Sequence, residues 1–151
     1  MIVSLLGLIC MLGISSCNYA SGGYPYAERY ELNVSESVLI EAVQQFKLKN
    51  PQLNVPDSTR LKDGRNSAED HWYHVYFYYP DENQILYTWL RSGDNGHTTF
   101  AFVSINDGLE IGNWKEINKD YPDRSNAMHK QVFERRILDK IKTILKNKRT
   151  D

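Results

Sequence analysis

Between His71 and Asn106 the chain carries "HWYHVYFYY", "ILYTWLRS" and "HTTFAFVSIN", with "PDEN" and "GDNG" as the turn-forming segments between them. Aromatic and β-branched side chains lose rotamer freedom in a helix but fit a pleated, half-buried surface. Three such runs at short spacing predict three strands of an antiparallel meander. Asp94-Asn95-Gly96 supplies the positive φ angles that a tight hairpin between the last two strands needs.

The flanking segments carry helical periodicity instead. Asn33 or Ser35 can cap a helix in which Val38, Leu39, Ala42, Val43 and Phe46 recur at helical spacing. Glu36 stands three residues after Asn33, as in a capping box, and the helix should end at Lys49-Asn50, before Pro51. Asp123 to Lys146 predicts a second helix, with Met128, Val132, Phe133, Ile137, Leu138, Ile141, Ile144 and Leu145 on one stripe. Tyr30–Val34 and Asn113–Ile117 read as short strands, and Asp57 to Asp70 as a polar surface loop. The expected fold is α+β: an antiparallel sheet of four to five strands with two helices mainly on one face, in the order β-α-β-β-β-β-α. Residues 28–151 are enough for one domain with its own core.

The first twenty residues, "MIVSLLGLICMLGISSCNYA", are of another kind. About 20 apolar residues are needed to span a bilayer, and this run breaks into small polar residues after about 13. It ends in Ile14-Ser15-Ser16-Cys17, which resembles the lipobox of bacterial lipoproteins. The resemblance implies that residues 1–16 are a signal peptide and that Cys17 becomes the mature N-terminus, carrying diacylglycerol and an amide-linked acyl chain such as palmitate. Two or more chains make a stable membrane anchor where one is marginal. Residues 17–27 would then form a flexible tether, since Gly22, Gly23 and Pro25 discourage regular structure. The implied address is the cell envelope, and Asn18 after the cysteine favours the outer membrane.

Composition excludes several function classes. Eighteen Lys and Arg against nineteen Asp and Glu leave a formal charge of −1, so no nucleic acid partner is expected. Both cysteines, Cys10 and Cys17, lie in the signal region, which leaves the domain no thiol for a disulfide or a metal. His71 and His74 fall on opposite sides of a strand, and no HExxH or local Ser-His-Asp motif is present. No metal or cofactor is expected. Asp57, Asp63, Glu69, Asp70, Asp81 and Glu82 read as solvated loop charges.

The candidate site comes from strand periodicity. Val75, Leu90, Val103 and their period-two neighbours would lie beneath the helices, gathering Trp72, Tyr76, Tyr78, Tyr87, Trp89, Phe100 and Phe102 on the opposite face, with His74 and Arg91 beside them. Large aromatic side chains are mostly buried, so such a face reads first as core, covered by a helix or the N-terminal segment, and second as a binding surface for a protein or glycan partner. The function expected is therefore a lipid-anchored envelope binding or interaction module, one version of which is an immunity or inhibitor protein. The alternative is a small envelope hydrolase or lyase whose site is assembled from His74, Tyr76 and Arg91.

Overall fold

A computed structural model describes residues 23–148; the expected signal segment and Cys17 lie outside the described residues. The elements are β1 (Glu28–Leu32), α1 (Glu36–Lys49), β2 (Tyr73–Tyr79), β3 (Gln84–Ser92), β4 (Thr98–Asp107), β5 (Trp114–Glu116), α2 (Asp123–Phe133) and α3 (Asp139–Asn147). The strands form one antiparallel sheet in the order β1-β4-β3-β2, with β5 also on β4. This is the α+β architecture and element order that the sequence predicts.

The turns follow their residues. Asn95 and Gly96 take φ of 58° and 75° in the β3–β4 hairpin, as expected, and Asn83 takes φ of 50° at the end of the β2–β3 turn. Ser35 occupies the α1 cap position, but its hydroxyl lies 3.2 Å from that of Ser37 and makes no cap bond. Glu36 is the first helical residue and pairs with Arg65 at 2.6 Å, so the expected Asn33–Glu36 capping box does not form.

One face of the sheet is sealed. Leu39, Ala42, Val43 and Phe46 of α1 join Phe133, Ile137, Leu138, Ile141 and Leu145 over Val75, Phe77, Leu86, Leu90, Phe100, Phe102 and Ile105. A π turn over Glu134–Leu138 joins α2 to α3 and adds one residue to the helical repeat. Met128, expected on the buried stripe, is 54% exposed, whereas Phe133 is fully buried and stacks on Phe102 at 4.6 Å.

Here the structure corrects the expected faces of β4. Phe100 and Phe102 point to the helices, and Ala101 and Val103 to the other side. The reason lies in the pairing: Tyr87 faces Ser104 while Thr88 faces Phe102, leaving Val103 as the extra residue of a β-bulge. Beyond the bulge the phase inverts, so that Ile105 returns to the helix side opposite Leu86. Strict period-two counting cannot follow a strand through an inserted residue.

The outer edge of β2 is closed by the loop expected to be free surface. Gly64 and His74 exchange two backbone bonds of 2.9 and 2.8 Å, Asp63 accepts the Tyr76 N–H at 2.9 Å, and Lys47 donates to the Tyr76 carbonyl at 2.8 Å. Occupying these groups blunts an otherwise exposed sheet edge.

Candidate functional site

The second face of the sheet is covered only in part. Residues 23–27, expected within the tether, lie across it: the Tyr24 ring packs edge-on to Trp72 at 5.5 Å and Tyr87 at 5.6 Å, and tilted against Trp89 at 6.0 Å. Trp89, with Ala101 and Val103, thus forms a second, smaller core. Trp89 is 3% exposed, so as a candidate binding residue it is corrected to core: the N-terminal segment and Trp72 cover it.

Next to this small core the face opens into a cleft of about 580 Å³. Tyr76, Tyr87, His74, Val103 and Ser104 line it from the sheet, Tyr24 and Asn66 from the flanking segments, and Trp114, Glu116, Lys119 and Asp120 from β5 and the turn after it. The bulge at Val103 helps to build it, because Val103 and Ser104 both serve this face in succession. A buried Asn106 organises the far wall: its amide donates to the Gly108 and Glu110 carbonyls at 2.9 Å each, and its oxygen accepts Asn113 N–H at 2.8 Å. That loop leads directly into Trp114.

A hydrogen-bonded chain runs along one side of the cleft. Asp70 accepts the backbone N–H groups of Trp72 and Asn66 at 3.0 and 3.1 Å and meets His74 Nε2 at 2.8 Å. His74 Nδ1 lies 2.7 Å from the Tyr87 hydroxyl, which lies 2.6 Å from that of Tyr24. Tyr87 donates its one proton to the Tyr24 hydroxyl and so accepts from His74 Nδ1–H, while His74 Nε2 faces Asp70 and lies 2.9 Å from the Asn66 amide nitrogen. The backbone donors of Trp72, with His74 and Asn66, hold the Asp70 carboxyl down at about 2 against an opposing effect of burial. Burial, then the bond to Tyr24, pushes the Tyr87 phenol well above its ordinary value. Tyr87 therefore keeps its proton. A carboxylate–histidine–hydroxyl order is shared with nucleophilic triads, but here the terminal hydroxyl is engaged by Tyr24 and held in its protonated form.

The sequence-predicted residues divide among several places. His74, Tyr76 and Tyr87 meet in the cleft, with Tyr76 and His74 each near-parallel to Tyr87 at 5.2 and 5.7 Å. Trp72 and Trp89 belong to the small core, and Phe100 and Phe102 to the main one. Tyr78 donates to Asn83 at 3.0 Å, away from the cleft lining. Arg91 sits over the Trp72 ring at 5.6 Å and lines a separate depression with Glu36, Arg65 and His71, so His74, Tyr76 and Arg91 do not converge on one pocket. Tyr24, Asn66, Asp70, Ser104 and Trp114 were not legible as site residues: they come from four segments, the N-terminal stretch, the loop before β2, β4 and β5, that only the fold brings together.

Among the described residues no cluster of His, Cys, Asp or Glu is suited to hold a metal ion, and no helix is long and apolar enough to cross a membrane. No protein-family model, curated protein or solved structure matches the chain.

Proposed function

We propose that this protein is a bacterial envelope binding module, held at the membrane by acyl chains on Cys17, that receives a ligand or a partner's side chains in the cleft beside Tyr76 and Tyr87. The observation that carries this reading is the cleft itself, concave, walled by half-buried aromatic rings and open to solvent. Pockets of about 300–1,000 Å³ with apolar walls and a few placed polar groups are the usual form of small-ligand sites. A binding role is favoured over hydrolysis because the hydroxyl that ends the relay on the cleft wall, that of Tyr87, is already engaged by Tyr24 and His74 and its ring lies near-parallel to Tyr76.

The anchor and the cleft are close in sequence. Seven peptide steps separate Cys17 from Tyr24, at most about 25 Å of extended chain. A lipid on Cys17 would hold the cleft near the bilayer surface, within reach of other envelope components. Two measurements test the proposal. Mass spectrometry of the native N-terminus should find Cys17 carrying diacylglycerol and an amide-linked acyl chain, and Cys17→Ser should block processing or release the chain from membranes; an unmodified Cys17 in an uncut chain sinks the anchor. Capture from detergent-solubilised envelope should recover a ligand with the wild-type chain and lose it with the Tyr76→Ala, Trp114→Ala double variant; equal recovery sinks the cleft.

A further inference from the structure

Resting on that reading of the cleft, we propose that the ligand is a neutral carbohydrate whose pyranose ring lies against Tyr76 and Trp114, and that the Ser104 hydroxyl is a specificity-determining contact.

The case begins with Ser104. Only 4% of it is exposed, it lines the cleft between Tyr87 and Glu116, its partners on the two neighbouring strands, and its hydroxyl has no hydrogen-bond partner among the described residues. Its oxygen is not enclosed but opens on the cleft, where a ligand hydroxyl can take the place of water. The bulge at Val103 is what turns this side chain to the cleft rather than to the helices. The Tyr76 hydroxyl and the Trp114 indole N–H likewise have no partner among the described residues. Each can donate to a ligand oxygen, and the two hydroxyls can also accept.

Charge narrows the ligand further. Lys119 is paired with Glu116, and Asp120 accepts the Glu116 N–H at 2.8 Å. Among the described residues the cleft lining thus offers no unpaired Lys or Arg to an anionic ligand, while the Glu116 carboxylate keeps acceptor capacity toward hydroxyl groups. Neutral, ring-shaped and rich in hydroxyls is the description of a sugar. About 580 Å³ suits one or two such rings, whereas a folded protein partner needs a broader face of roughly 800 Å².

The experiment is calorimetric titration of the full chain in detergent with chitotriose, cellotriose and maltotriose, and separately with the neutral apolar dye N-phenyl-1-naphthylamine. One trisaccharide should bind with 1:1 stoichiometry, and Ser104→Ala should weaken it about five- to tenfold, the loss of one hydrogen bond, while leaving the urea midpoint and dye binding unchanged. Trp114→Ala should weaken the sugar as well, with Lys62→Ala as an indifferent control. Failure of all three sugars at millimolar concentration, or a Ser104→Ala variant that binds sugar as tightly as wild type, overturns the carbohydrate assignment. If the dye still binds and is lost in the Tyr76→Ala, Trp114→Ala variant, the cleft remains a binding site for another ligand class. If neither sugar nor dye binds, both readings fall.

Discussion

The two faces of this sheet are built from the same strands but held by different forces. Against the helices, Val75, Phe77, Leu86, Leu90, Phe100 and Phe102 belong to one large apolar cluster, and rings such as Phe133 are fully enclosed. On the other face, Trp89 is covered by a five-residue segment and Trp72, His74 is fixed by polar bonds, and Tyr76 borders open cleft. Area removed from water scales the first kind of stability. The second kind is worth little net per bond but specifies geometry, because each partner is costly to leave unpaired. A domain can place most of its stability in one face and keep the other for recognition.

Substitutions can break or sharpen this contrast. The largest effect is expected at Phe133→Ala, which leaves a cavity beneath Phe100 and Phe102 and should cost about 3–5 kcal/mol in urea unfolding. A loss below 1 kcal/mol would mean that the helix face is not the main core. Within the open face, Trp89→Ala should cost about 3 kcal/mol and Tyr76→Ala under about 1 kcal/mol, since one ring is enclosed and the other half-accessible. Equal costs at the two sites would erase the boundary between small core and cleft.

A smaller, pH-dependent effect belongs to Asp70. Its carboxyl is held at about 2 in the folded protein, below its ordinary 3.8, so its contribution to stability is fully present above that ordinary value. It is lost progressively as pH falls from about 4 toward 2. Urea midpoints measured across that range should fall less steeply in Asp70→Asn than in wild type, and a parallel pH profile would show that the Trp72 and Asn66 bonds add nothing to folding.

Much of the helix face was legible from the chain. Val38 aside, the predicted apolar positions of α1 are buried or half-buried, and the turn at Asn95-Gly96 takes the backbone its residues favour. Legibility failed at β4, where the Phe100 and Phe102 assignments inverted. Both phases of that strand are apolar, Phe100 and Phe102 on one side and Ala101 and Val103 on the other, so composition could not choose between them. It failed again at Asp70 and Asp63, taken for solvated loop charges, because Asp70 meets His74 and Asp63 accepts the Tyr76 N–H, contacts with β2 that the loop's own composition does not announce.

What the sequence alone determined is the kind and order of the elements: aromatic and β-branched runs make strands, 3.6-residue periodicity makes helices, and Asn-Gly steps make turns. These preferences act over a few neighbouring residues, so they can be read locally. Only the tertiary structure decided which strand face met the helices, that Val103 would bulge, that Tyr24 would cover Trp89, and that Ser104, Tyr76 and Trp114 would share a cleft. Each of these depends on pairing between segments distant in the chain, where burial of whole surfaces outweighs local preference.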